Sequence, residues 1–190
     1  MKNKTQEFYP VALTIAGSDS GGGAGIQVDV RTFNAYGVYG CTAITAITAQ
    51  NPGGVRRIDP IPAAGVQAQI EAVCDRYAVR YVKSGMLFNR EIVETVAAMV
   101  KQYNLQIIVD PVMVATSGAV LLEDSAIDAL REKLLPEAQW MTPNLPEAEL
   151  LLGRSLKSDA DYAAAALECA KRWKCRCFLK SGHAKGQAES

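Results

Sequence analysis

Short apolar runs alternate along this chain with longer amphipathic segments, and that alternation leaves few folds open to it. The runs are Val11–Ala16, Cys41–Ala49, Val79–Val82, Gln106–Val109, Gln139–Met141 and Cys175–Leu179. Several are rich in β-branched residues and poor in charge, the composition of strands buried on both faces. Between them apolar residues recur at helical spacing. Ile26, Val30 and Phe33 form one such stripe, with Gly37 as its stop signal. Val66, Ile70, Val73 and Tyr77 form a second, after Pro60 and Pro62, which suit a helix entry. Ile92, Val96, Met99 and Tyr103 form a third, and Ile127, Leu130 and Leu134 a fourth. Ala163, Ala166, Leu167, Ala170 and Trp173 mark a long helix near the end. Strand and helix in turn predict an α/β protein, a three-layer α/β/α sandwich with helices on both faces of a mostly parallel sheet. The stretch Asn51–Pro60 breaks the pattern. Its Pro-Gly-Gly turn and short Val55–Ile58 run read as a small flap beyond the sheet.

Bulk properties narrow the class of partner. The 190 residues are 49% hydrophobic, enough for one sizeable core, and Lys plus Arg equals Asp plus Glu at 20 each. A neutral chain has no net field for nucleic acid or an anionic membrane, so neither is expected as a partner. The first apolar run is too short for a signal-peptide core or a membrane span. Five scattered cysteines, an odd number, argue against a disulfide framework and for a reducing compartment, so a cytoplasmic globular protein is expected.

Ligands of open parallel sheets bind beyond the carboxyl ends of the strands, so the residues just after each strand are informative. After the first comes Gly17-Ser18-Asp19-Ser20-Gly21-Gly22-Gly23-Ala24-Gly25, and after the second Gln50 and Asn51. The later strands end in Lys83-Ser84-Gly85-Met86, Asp110-Pro111, Thr142-Pro143-Asn144 and Lys180-Ser181-Gly182-His183. Parallel strands would turn all of these toward one crevice.

Taken singly, most of these positions stay ambiguous. The glycine loop could offer backbone N–H groups to an anion, or be a tight turn with Ser20 or Asp19 as a helix cap. It fits neither the dinucleotide fingerprint nor a P-loop. Asp29, about a turn into the first helix, reads by position as a solvated charge favourable to the helix dipole. The alternative is a carboxylate that accepts from a substrate hydroxyl or ring amine. Asp110 ends a buried strand, where metal or phosphate work is the stronger reading. Asn144 and Glu147 have the spacing of a capping box, and on spacing alone that reading wins. Lys83 and Lys180, each terminating a strand, are candidate phosphate partners. Cys175, Cys177 and His183 give too few ligands for a convincing zinc site and read as core cysteines. His183 is the only histidine, which also makes a Ser-His-Asp hydrolase a poor fit.

Together the strings Leu13–Asp19, Gly21–Asp29, Thr45–Asn51, Lys83–Leu87, Asp110–Met113, Thr142–Ala148 and Lys180–His183 closely resemble the hydroxymethylpyrimidine/phosphomethylpyrimidine kinases of the ribokinase-like superfamily. The resemblance runs in order from about Val11 to His183. It implies an enzyme of thiamine biosynthesis that phosphorylates hydroxymethylpyrimidine and then its monophosphate, with ATP and Mg²⁺ as cofactors. By matching positions, Gly17, Asp29, Thr48, Gln50, Met86 and Val112 would surround the pyrimidine, with Asp29 and Gln50 hydrogen-bonded to it. Thr48 departs mildly from the aliphatic residue common there. Asp110, Asn144 and Glu147 would serve the phosphates, Asp110 and Glu147 the metal, and Lys180 the nucleotide. A homodimer is the assembly relatives suggest.

The resemblance also implies a later nucleotide-binding portion with a Gly-Thr-Gly-Cys or Gly-x-Gly-Asp string that supplies an anion hole and the catalytic group. Neither string occurs in these 190 residues. The expectation is a single ribokinase-like domain lacking that portion, with a working pyrimidine half-site and little or no turnover, and no catalytic residue is assigned. Pyridoxal or pyridoxine phosphorylation and non-catalytic pyrimidine binding are the alternatives.

Overall fold

The computed structural model describes residues 9–113 and 121–180. Seven strands form one sheet: β1 (Val11–Asp19), β2 (Tyr39–Asn51), β3 (Gly54–Pro60), β4 (Tyr81–Ser84), β5 (Gln106–Val109), β6 (Ala138–Met141) and β7 (Arg176–Cys177). Their order is β3-β2-β1-β4-β5-β6-β7, all parallel except β3, which runs antiparallel to β2. The helices are α1 (Gly25–Ala35), α2 (Ala63–Cys74), α3 (Arg90–Gln102), α4 (Asp124–Ala129), α5 (Leu145–Leu152) and α6 (Asp159–Trp173). A π turn (Leu130–Leu134) and a 3₁₀ turn (Leu135–Glu137) extend α4 to β6. The mostly parallel α/β fold expected from the sequence is the one found.

Alternation along the strands sorts the two faces. Leu13 and Ile15 of β1, Val82 of β4 and Ile107 and Val109 of β5 are fully or nearly fully buried. They share one core with Val66 and Ile70 of α2, with Ile92 and Val96 of α3, and with Trp173 of α6. Helix α3 shows how local sequence builds this layer. Asn89 caps it by accepting from the Ile92 N–H at 3.0 Å, Glu91 and Lys101 suit the dipole ends, and six apolar residues are buried along one side. The opposite sheet face receives α1, which packs on β1 and β2.

Several details differ from the sequence expectation. The Val55–Ile58 run is not separate from the sheet but its antiparallel edge strand, paired with β2 from Ala46 to Asn51. β1 pairs with β2 only as far as Thr48, so the hairpin tip does reach past the end of β1. The last strand is only Arg176–Cys177, shorter than the apolar run that suggested it. Helix α6 is turned relative to the expected stripe. It buries Ala165, Cys169 and Trp173, while Leu167 is 62% exposed. Four consecutive alanines, Ala163–Ala166, give no preferred face, so tertiary packing decides: Ala165 packs with Leu145 and Ala148 of α5, and the Trp173 indole N–H donates to the Arg131 carbonyl at 3.0 Å. Helix α5, implied by the capping box alone, stands between β6 and α6 in the chain. The reading of Cys175 and Cys177 as core cysteines holds, Cys175 being buried in the core and Cys177 packed against it; His183 lies outside the described residues.

On the α1 side of the sheet, register carries one row across the right-hand strands. Lys83 pairs with Ile108, Ile108 with Trp140, and Trp140 with Arg176. With Tyr81 and Phe178 this row is open: Tyr81 is 50% exposed, Trp140 39% and Phe178 61%. Arg80 lies over the Tyr81 ring and Arg176 over the Trp140 ring, so this face offers aromatic surface beside cations, which suits an anionic apolar probe. The 190-residue polypeptide is therefore expected to enhance 8-anilinonaphthalene-1-sulfonate fluorescence at neutral pH. Replacing Trp140 and Phe178 by serine should remove most of that signal while leaving the circular dichroism unchanged.

Candidate active site

The strand order reverses beside β1: β2 lies on one side of it and β4 on the other. Connections leaving β1 and β4 diverge there, and the gap they leave is the ligand crevice of open α/β sheets. In this chain it is a cavity of about 550 Å³ at the carboxyl edge. Gly17, Asp29, Thr48, Gln50, Met86, Val112, Asp110, Asn144, Glu147 and Lys180 all line it. Every residue proposed from sequence for the pyrimidine, the phosphates or the metal therefore faces one space.

The glycine loop forms one wall, and its order comes from one carboxylate. Asp19 accepts from the N–H groups of Gly21 at 2.8 Å, Gly23 at 2.9 Å and Ala24 at 2.8 Å. The N-cap of α1 is Ala24, without a side-chain cap, so neither Ser20 nor Asp19 caps the helix. Ser20 instead exchanges hydrogen bonds with the Gln50 backbone, accepting at 2.9 Å and donating at 2.8 Å, which ties the loop to β2. With these N–H groups committed to Asp19, the loop shapes the crevice rather than cradling an anion. Gly25 is required where it stands: its φ is +60°, and a Cβ would lie 2.3 Å from the Gly17 carbonyl oxygen.

Asp29 is not the solvated helix-start charge that its position suggested. It is the one buried residue of α1, 9% exposed, and faces the sheet. The hydroxyl of Thr14, itself fully buried in β1, donates to its Oδ2 at 2.6 Å. The Lys83 ammonium stands 3.2 Å from its Oδ1 and 3.3 Å from its Oδ2. Lys83 also lies 3.9 Å from Asp110 Oδ2, and Lys180 donates to Asp110 Oδ1 at 2.8 Å. Opposite charges thus alternate across the crevice as Asp29, Lys83, Asp110 and Lys180. Thr14 was missed in the sequence because it sits within an apolar run. Only its place in an alternating strand, on the Asp29 side, could have flagged it.

Asn144 and Glu147 form the capping box and also stand on the crevice wall. They form a capping box for α5, with the Asn144 N–H donating to Glu147 Oε2 at 2.8 Å and the Glu147 N–H to Asn144 Oδ1 at 2.9 Å. They also line the crevice beside Asp110, and Asn144 is bridged to Lys180. Burial pushes the Glu147 carboxyl up to about 7, against the stabilising Asn144 N–H and the Lys180 charge, and the negative charge of Asp110 adds to the rise. Asp110 and Glu147 together offer hard oxygen ligands on one wall, a donor set that suits Mg²⁺ held by one or two carboxylates plus ligand phosphates.

Fold and crevice together define an α/β protein with a polar, small-molecule-sized cavity at the switch point of its sheet. A family model described as phosphomethylpyrimidine kinase matches residues 19–190, and the chain belongs to that family. It is 49% identical to the hydroxymethylpyrimidine/phosphomethylpyrimidine kinase of Rhizobium meliloti over 93% of this chain and 67% of that protein. The crystal structure of phosphomethylpyrimidine kinase from Clostridium difficile superposes with a TM-score of 0.85 at 41% identity, over 94% of this chain and 78% of that one. An ADP complex of Bacillus subtilis pyridoxal kinase superposes with a TM-score of 0.82 at 37% identity, over 93% and 66%. The chain spans between 60% and 67% of the length of the first curated relatives it matches.

This geometry has two testable consequences. Asp19→Ala removes the acceptor of three loop N–H groups and is expected to cost on the order of 2–4 kcal/mol in urea unfolding. The raised Glu147 carboxyl means that the folded chain keeps a proton the unfolded chain has released above the ordinary carboxyl range. Its contribution to stability is full at low pH and is lost as pH rises through about 7. Relative to Glu147→Gln, the wild-type chain should therefore lose on the order of 2 kcal/mol between about pH 5 and about pH 8. Equal pH profiles for the two would contradict the assigned burial.

Proposed function

We propose that this chain carries the acceptor site and part of the phosphate site of an ATP-dependent kinase. Its acceptors are 4-amino-5-hydroxymethyl-2-methylpyrimidine and then the corresponding monophosphate, in thiamine biosynthesis. One observation carries the reading: along the carboxyl edge, groups suited to a ring come first and groups suited to phosphates second. Gln50 and Thr48 on β2, Gly17 on β1 and Asp29 on α1 lie at the β2–β1 side. Asp110, Asn144, Glu147 and Lys180 come after β5, β6 and β7 at the other, and Met86 and Val112 stand between.

In this reading Asp29 accepts from the exocyclic amine, Gln50 completes the polar contacts, and Gly17, Met86 and Val112 wall the ring. A Cβ at Gly17 would lie 2.6 Å from Met86 Cε and would push that flexible side chain out of its place on the ring wall. Asp110 and Glu147 would hold Mg²⁺, which when bound neutralises charge on the nucleotide phosphates. Lys180 and Asn144 would orient those phosphates. Only the ionised Glu147 is a good metal ligand, so Mg²⁺-dependent nucleotide binding should strengthen as pH rises through about 7. Cytoplasmic residence and pairing as a homodimer belong to the same proposal. Among the described residues no helix is long and apolar enough to cross a membrane.

The similarity to pyridoxal kinase supports a second reading, in which the ring bound is pyridoxal or pyridoxine. Isothermal titration of each ring compound into the purified chain separates the two. Hydroxymethylpyrimidine is expected to bind and to be displaced poorly by pyridoxal, and Asp29→Asn is expected to weaken it by roughly tenfold or more. Preferential binding of pyridoxal would favour the second reading. Absence of binding by either compound would contradict both.

A further inference from the structure

We infer that Lys83 is the specificity determinant for the phosphorylated acceptor, supplying the cation that meets its phosphate on the ring side of the crevice. The inference rests on the pyrimidine-kinase reading and deepens it. A kinase that takes first an alcohol and then its phosphate ester must accommodate two different charges at one place. Near neutral pH a phosphate monoester carries between one and two negative charges. The crevice that must take it is lined by the carboxylates of Asp19, Asp29, Asp110 and Glu147. Its cations, among the described lining residues, are Lys83 and Lys180.

These two lysines are not equivalent. Lys180 is engaged with Asp110 Oδ1 at 2.8 Å and lies beside Asn144, on the β6–β7 side of the crevice. Lys83 stands on β4, next to β1, and pairs with Asp29 at 3.2 Å. Its distance to Asp110 Oδ2, 3.9 Å, is too long for a hydrogen bond. An ammonium has three N–H donors, so on the Asp110 side Lys83 retains capacity for another acceptor. A phosphate attached to the ring substituent and directed from Asp29 toward Asp110 comes within reach of that remaining donor. Without Lys83 it would face two carboxylates in a partly desolvated site, where like charges repel strongly.

Thr14 makes the arrangement specific. Its buried hydroxyl fixes Asp29 Oδ2 at 2.6 Å, so the carboxylate stays on the ring while the more exposed lysine, 30% accessible at its side chain, is free to turn toward a phosphate. The uncharged acceptor needs no such cation. Lys83 should therefore matter more for the second acceptor than for the first.

The test is isothermal titration of hydroxymethylpyrimidine and of its monophosphate into wild-type, Lys83→Met, Lys83→Arg and Lys180→Met chains, with thermal unfolding of each. Lys83→Met is expected to lose roughly tenfold more affinity for the monophosphate than for the alcohol, the size of one charge-assisted hydrogen bond. Lys83→Arg, which keeps the charge and guards against a misfolded Met variant, should restore most of that difference. Equal weakening of both ligands, or a ratio unchanged by either substitution, would overturn the inference and leave the kinase reading standing. A ratio that shifts in Lys180→Met instead would overturn it in favour of the other lysine. Wild-type chain that binds neither ligand would overturn the kinase reading and this inference with it.

Discussion

A buried carboxylate held by two neighbouring strands is the constraint on which the crevice depends. Asp29 leaves α1 toward the sheet and is met by Thr14 from β1 and Lys83 from β4. A carboxylate so little exposed is costly unless it is hydrogen-bonded and paired. Those partners are available only where β1 and β4 are neighbours, which is where the strand order reverses. The charge thus marks the switch point, and satisfying it fixes α1, β1 and β4 relative to one another. Lys83 then extends the arrangement to Asp110, and Asp110 extends it to Lys180 at the far edge of the sheet.

Around that row the walls are built by backbone chemistry rather than by packing. Asp19 uses its carboxylate to gather three N–H groups of the glycine loop, and Ser20 anchors the loop to β2. Asn144 and Glu147 cap α5 reciprocally and in doing so present an amide and a carboxylate to the crevice. Each device stabilises its own element and also leaves polar groups facing one cavity. The contacts that hold these elements together are also those that face the crevice, and burial of Asp29 overturns the solvated-charge reading of its position.

Much of this was legible from sequence because it rested on periodicity and strand order. β5 begins and ends at the expected residues, and Asp110 comes directly after it as anticipated. Parallel strands with polar residues after their ends imply one crevice, and all ten proposed residues line it. What escaped had a physical reason. Burial of Asp29 depends on Thr14 and Lys83, which are 15 and 54 residues away in sequence. The alanine-rich α6 carries no periodic signal strong enough to fix its face, and a short antiparallel edge strand resembles a flap until its pairing with β2 is known. The strings that resemble the family carry the ambiguous residues, and the family match spans residues 19–190.

The central claim is that a pyrimidine ring binds in the switch-point crevice with its amine on Asp29. A crystal structure of the chain soaked with hydroxymethylpyrimidine tests it most directly. The account requires the ring between Gly17, Met86 and Val112, with a nitrogen within hydrogen-bond distance of the Asp29 carboxylate and Lys83 on the substituent side. A ring bound elsewhere, or bound in the crevice with Asp29 still fully engaged by Thr14 and Lys83 and making no contact to it, would contradict the account.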